Sequence, residues 1–260
     1  MAILHLPLHQ VEVFFLVFLR VSGVIFTVPI IGSPTVPATV KSGLSLALTF
    51  ALFPVLRDAG FPALPGTLVW IIGACAELLL GVAIGLLVRL LFAGVQMAGE
   101  LAGFQMGLAI ANIMDPATSY QVPVLAQIYN LMAMLLFVSF NAHHWFIRGI
   151  MESYAFIPPL QVRFTGFALQ HLIEIAGGIF VVAVKAGAPV IVVLLISSVA
   201  FGLLARTVPQ MNVFIVAMPM KIAIGLIFVG LSLPFLAVFL QELFGGWPRD
   251  LVILFKAMGS

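Results

Sequence analysis

What most limits this chain is the length of its apolar runs. Between clusters of breakers they extend over residues 11–31, 40–56, 66–113, 124–147, 169–204 and 213–244, with Leu, Ala, Val and Phe on every side. Strands of a membrane barrel alternate apolar and polar residues over about ten positions, whereas a membrane helix needs roughly twenty apolar residues in a row. The chain is therefore expected to be all-α, an integral membrane protein of about six long apolar helices. Composition agrees, since 63% of the 260 residues are hydrophobic and 8% are charged, against about 25% charged in a soluble domain. So little polar surface cannot clothe a globule in water, and the backbone has to satisfy itself inside helices. A cytosolic enzyme, a disordered tail and a nucleic-acid-binding domain are excluded. Net charge is only +2, and no basic run tracks phosphates.

Some of the lengths do not suit a simple bundle. The 66–113 run holds no proline, and a helix of that length would reach about 70 Å against a hydrocarbon core of about 30 Å. Either it breaks at its glycines, or part of it leaves the bilayer while staying buried in protein. The last two runs are also overlong, at about 50 Å each. With Pro189, Pro219 and Pro234 available to kink them, they are expected to form one long helical hairpin. Residues 1–10 carry two histidines and no Lys or Arg, and Arg20 interrupts the apolar run that follows, so a cleaved signal peptide is not expected. Arg57, Arg148, Arg163, Arg249 and Lys256 fall on one side of a six-span layout, with Lys41 and Arg206 on the other. That excess puts both termini in the cytoplasm.

Charges inside apolar runs need a reason. Arg20, Glu77, Arg89, Glu174, Lys185 and Lys221 lie within or at the margins of such runs, where an unpaired charge is costly. Glu77 belongs to the four-residue series Gly73, Glu77, Gly81, Gly85, Arg89, a small-residue face that lets another helix approach closely. Gly99, Gly103 and Gly107 repeat the pattern beside Gln96 and Glu100, and Glu174 and Lys185 fall on nearly the same helix face. Helix contacts within or between subunits account for these charges better than a transport pathway does. The competing reading is a small-solute or ion transporter with Glu77, Glu174 and Lys185 as a relay. Residues 112–123 stand apart as a polar, breaker-bounded loop. At membrane depth, irregular backbone survives only when it is buried in protein or lines a cavity.

Catalytic constellations are scarce. The single cysteine, Cys75, excludes an internal disulfide and any cysteine-based metal framework. On a regular helix the adjacent His143 and His144 would point about 100° apart, which favours a role at a span end over shared metal ligation. No G-x-S-x-G, H-E-x-x-H, Walker or dinucleotide glycine loop occurs. Asp115, directly before Pro116, reads as a turn or cap residue ahead of a proton relay. No enzymatic activity, cofactor or metal is expected.

Four stretches carry a resemblance. They are the glycine-rich residues 99–107, Met114-Asp115-Pro116 through Pro123-Val124-Leu125, Phe140-Asn141-Ala142-His143-His144, and residues 206–214 from Arg206 to Phe214. With Arg20, Pro29, Pro37 and Lys41, the chain resembles over essentially its whole length the FliR family of flagellar biosynthetic proteins and its counterparts in virulence type III secretion. Ala142 and Ala217 stand where the family has glycine, and Met218 where an aromatic residue is usual. The string Pro209-Gln210-Met211-Asn212-Val213-Phe214 leans toward the flagellar branch, with the virulence system as the alternative.

The resemblance implies an export-gate subunit that passes unfolded export substrates across the bacterial inner membrane at the flagellar basal body. It would assemble with several copies of P- and Q-type subunits and with the B-type switch protein, while an ATPase and the proton motive force act through other components. Residues 1–168 would be a P-like helical part and residues 169–260 a Q-like hairpin and tail. Such subunits enclose a pore raised largely out of the bilayer plane, which suits helices too long to span it. By the same resemblance the loop 110–123 is the plug that closes the pore, bringing in Ile110, Asn112, Ile113, Met114, Asp115, Pro116, Tyr120, Gln121 and Pro123. Arg206, Pro209, Gln210 and Asn212 lie in the turn of the hairpin.

Overall fold

The computed structural model describes residues 8–56, 66–108, 123–208, 210 and 212–259. Among them are eight helices and no strand: α1 (Leu8–Thr27), α2 (Ala38–Leu56), α3 (Thr67–Met106), α4 (Val124–Ser139), α5 (Ala142–Phe156), α6 (Gly166–Thr207), α7 (Val213–Leu231) and α8 (Leu233–Gly259). Four of these, α1, α2, α3 and α6, are long and apolar enough to cross a membrane; α4 with α5 and α7 with α8 raise the number to six if each bent pair is one span. The chain is a multi-pass membrane protein.

Packing divides the helices into two compact units. The first takes Met1–Leu90, Asn141–Ala176 and Gly246–Ser260, the second Leu91–Phe140 and Gly177–Gly245. These divisions differ from the expected boundary at 168/169, which concerns likeness to partner subunits rather than packing.

The first unit is organised by the helical period of α1. Val13, Leu16, Val17, Arg20, Val21 and Val24 are all buried, the i, i+3, i+4 spacing of a single core-facing stripe. The helix ends where the Thr27 hydroxyl bonds back to the Gly23 carbonyl at 2.7 Å and Pro29 follows. After a short connector α2 returns, with Phe14 of α1 against Phe50 and Phe53 at ring centroid distances of 4.9 and 5.5 Å. The buried side of α2 carries Lys41, Ser45 and Thr49. Both hydroxyls are satisfied by carbonyls four residues back, at 2.8 and 2.7 Å, and Lys41 Nζ donates to the Gly32 carbonyl at 3.0 Å. The first half of α3, α5, the first turns of α6 and the end of α8 complete this unit, burying Leu80, Ile84, Ile150, Tyr154, Leu254 and Phe255.

The second unit is built from the rest of α3, α4, the body of α6, α7 and the start of α8. Phe92, Phe137 and Phe244 form a triangle with centroids 5.5, 5.8 and 5.3 Å apart, within the usual range for edge-to-face contact. In the same unit Ala98, Ala102, Ala126, Ala133, Ala183 and Ala186 are fully buried or nearly so. Small residues let apolar helices approach closely where no water drives them together.

Several expected boundaries shift. Within the 66–113 run, Thr67–Met106 is one uninterrupted helix of 40 residues, α3, about 60 Å long, and it does not break at its internal glycines. It stops at Gly107, whose φ is +84°. The Gly107 N–H donates to the Phe104 carbonyl at 3.0 Å and the Leu108 N–H to the Gly103 carbonyl at 3.1 Å, the paired bonds of a Schellman ending. The single run expected over 124–147 is two helices. Asn141 sits between them with φ +54°, in the left-handed region that asparagine tolerates better than most residues. The 213–244 run bends by 55° at Ser232, just before Pro234, which sits harmlessly in the first turn of α8. The polar stretch after 147 and the presumed tail after 244 are both helical, to Phe156 and Gly259.

Candidate functional site

The densest polar feature in the described structure surrounds Arg20. It lies in the middle of the buried stripe of α1 and is fully buried, as is Glu77 of α3. Arg20 Nε donates to Glu77 Oε2 at 2.6 Å. Nη1 donates to Ser153 Oγ at 3.1 Å and Nη2 to the Ile157 carbonyl at 3.0 Å. The Tyr154 ring covers the guanidinium, 4.0 Å from its carbon to the ring centroid, a favourable seat for a cation. Ser153 Oγ in turn donates to the Ile150 carbonyl at 2.6 Å, and the Tyr154 hydroxyl donates to the Val17 carbonyl at 3.3 Å. A buried ion pair is tolerable only when its remaining donors and acceptors also find partners, and here α1, α3, α5 and the segment after α5 all supply them. The arrangement ties α1, α3, α5 and the segment after α5 to one another.

The second oxygen of Glu77 reaches farther along the chain. Oε1 accepts the Leu160 N–H at 3.0 Å. Leu160 has φ +68° and is the third residue of a turn closed by the Gln161 N–H on the Pro158 carbonyl at 3.1 Å. With proline at its second position this is the pattern of a type II turn, which favours glycine or asparagine third; a left-handed leucine costs roughly 1–2 kcal/mol. Its side chain fills the space above Gly73, where a β-carbon would collide with Leu160 Cδ2. Beyond the turn, Arg163 N–H donates to the Met258 carbonyl at 2.9 Å and Thr165 Oγ1 to the Ala257 carbonyl at 2.7 Å. Thr165 also caps α6 by accepting the Ala168 N–H at 3.2 Å.

Glycine faces do the close packing on α3. A β-carbon on Gly23 would lie 2.6 Å from the Leu78 carbonyl oxygen, one on Gly81 would strike the Arg20 carbonyl, and one on Gly85 would strike Thr27 Oγ1. So α1 and α3 meet backbone to backbone beside the ion pair. In the second unit, a β-carbon on Gly99 would lie 2.6 Å from Ala126 Cα and 2.7 Å from the Leu125 carbonyl oxygen. A β-carbon on Gly103 would make only ordinary contact, with Leu125 Cβ at 3.6 Å, and Gly107 ends the helix at φ +84°.

The other sequence-derived residues are placed as follows. Glu174 is exposed and accepts the Gln170 side-chain amide at 3.1 Å. Lys185, Arg206, Gln210 and Asn212 are exposed and Lys221 is half-buried. Pro123 precedes α4 with φ −52° and ψ +122°. Ile110, Asn112, Ile113, Met114, Asp115, Pro116, Tyr120 and Gln121 of the expected plug, and Pro209 of the expected turn, lie outside the described residues. Among the described residues no group of three His, Cys, Asp or Glu side chains could hold a metal ion. Sequence reasoning singled out Arg20 and Glu77 separately but not their pairing, and it missed Ser153, Tyr154 and Leu160. The clue in the sequence was two opposite charges set within apolar runs.

Residues 11–247 match the family described as bacterial export proteins, family 1. The chain belongs to that family. It is also similar to proteins named flagellar biosynthetic protein FliR. In Escherichia coli K12 the identity is 34% over 91% of this chain and 90% of the relative. In Bacillus subtilis 168 it is 34% over 89% and 90%, and in Aquifex aeolicus 30% over 87% of each. Similarity at this level over about nine-tenths of the chain places it among the FliR proteins, as membrane components of a bacterial export system.

Proposed function

We propose that this chain is the FliR-type subunit of the flagellar type III protein export gate, forming part of the pore through which unfolded export substrates cross the inner membrane. The observation that carries the reading is the similarity at 34% identity, across nine-tenths of both chains, to proteins named as flagellar biosynthetic. The gate stands at the flagellar basal body and is completed by P- and Q-type subunits and the B-type switch protein. Residues 1–168 act as the P-like part and 169–260 as the Q-like hairpin and tail. The loop 110–123 closes the pore, and the chain carries no catalytic step or cofactor. Glycine-lined helix crossings and helices about 60 Å long, α3 and α6, suit a wall built from closely packed subunits.

What favours this reading over the transporter alternative is that Glu77 is fully buried and held by Arg20 on one oxygen and Leu160 on the other, as suits a helix-packing role.

The test is complementation with a plug deletion. In cells lacking their own FliR, this chain should restore secretion of hook and filament protein, and failure to do so would remove the reading. Deleting part of 111–121 should keep the gate assembled and raise ion conductance across the inner membrane. Unchanged conductance in an assembled deletion variant would reduce the loop to a connection.

A further inference from the structure

The segment between α5 and α6 is held by contacts that look made to be released. Its turn contains leucine where glycine would be unstrained, with φ +68°. That choice makes sense if the side chain is needed, and Leu160 alone fills the niche over Gly73, one helical turn before Glu77. The main chain of the turn is held there by one bond, the Leu160 N–H on Glu77 Oε1 at 3.0 Å. If the turn leaves, Glu77 Oε2 keeps Arg20 Nε, and Arg20 keeps Ser153 and the Tyr154 ring. Departure therefore strands no buried charge, only one carboxylate oxygen and the guanidinium donor that had served Ile157. On its other side the segment grips the final turn of α8 through Arg163 and Thr165. A move off α3 would thus be felt by α8.

The geometry points to residues 158–165 as a releasable latch, with Leu160 as its peg and Gly73 and Glu77 as its seat, which must come off α3 for the gate to pass substrate. This rests on the export reading above and assigns a moving part to it. The physical basis is a discrete two-position element held by a few directional contacts.

A cross-link tests it in the assembled gate. A β-carbon at Gly73 would lie 3.7 Å from Leu160 Cβ, within the span of a disulfide. Gly73→Cys with Leu160→Cys, in a Cys75→Ser background, should cross-link under mild oxidant, and secretion should fall at least fivefold with the gate intact and return on reduction. Each single cysteine should be insensitive to oxidant. A cross-linked gate that secretes like the single variants would overturn the latch, as would a pair that cannot be cross-linked. Leu160→Gly supplies a second arm, because it relaxes the turn and removes the peg. Amide exchange over 160–164 in the assembled complex should quicken about tenfold, and unchanged protection would count against the proposal. If the Cys75→Ser chain itself failed to restore secretion, the export reading would fall, while the cross-link and exchange arms would still report on the seat.

Discussion

Arg20 is satisfied by a carboxylate, a hydroxyl, a carbonyl and an aromatic face, so removing one partner leaves a buried guanidinium short of its due. Glu77→Ala is expected to cost about 3–5 kcal/mol, read as a lower melting temperature of the detergent-solubilised gate. Ser153→Ala, which deletes one hydrogen bond to a charged group, should cost less, about 1.5–3 kcal/mol. Replacing both charges, Arg20→Met with Glu77→Met, should recover part of the Glu77→Ala loss because no charge remains stranded. Recovery should be incomplete, since the Leu160 amide and the Ile157 carbonyl lose their partners. A double variant melting as low as Glu77→Ala would show that steric fit, not charge, matters at this site. At this scale the sequence displayed the two charges but not their meeting. They are 57 residues apart and Ser153 is 133 from Arg20, and no local pattern encodes separations of that kind.

At the level of helices, glycine roles sort by what surrounds each one. In a helix, Gly→Ala ordinarily stabilises by about 0.5–1 kcal/mol. That gain should appear at Gly177 and Gly245, where an added β-carbon meets nothing within 4 Å. It should reverse at Gly81 and Gly99, where the new atom runs into the backbone of α1 or α4. The yield of assembled gate should therefore drop for Gly81→Ala and Gly99→Ala, hold for Gly177→Ala and Gly245→Ala, and change little for Gly103→Ala. Equal yields across all five would show that close approach is not what the glycines of α3 provide. Gly107→Ala should also destabilise, by strain at φ +84°. The four-residue spacing made the packing face of α3 readable, because helical period is a local property. It could not separate Gly107 from Gly99, since a helix ending and a packing face both call for glycine.

For the whole molecule the exposed surface sets the expectation. Large apolar side chains line the outside of α6, among them Phe180, Val184, Leu195, Ile196 and Val199, and Lys185 is exposed within that same helix. Surface of this kind needs lipid or other subunits, and a charge within it favours protein. Expressed alone, the chain should aggregate or be degraded. Co-expressed with P- and Q-type subunits, it should migrate in a stable, detergent-resistant complex. A monodisperse and long-lived monomer purified alone would argue strongly against a gate subunit.

Run length and apolarity determined the helical class, the multi-pass membrane character and the approximate helix positions, because a backbone in lipid has few ways to satisfy itself and each is visible over twenty residues. Motifs scattered along the chain carried its family. Tertiary structure alone decided that α3 runs unbroken past six glycines, that Asn141 and Ser232 divide what read as single runs, and that Arg20, Glu77 and Leu160 share one site. Those outcomes depend on which distant helix supplies a backbone oxygen, an empty niche or an opposite charge, and such partners exist only once the chain has packed.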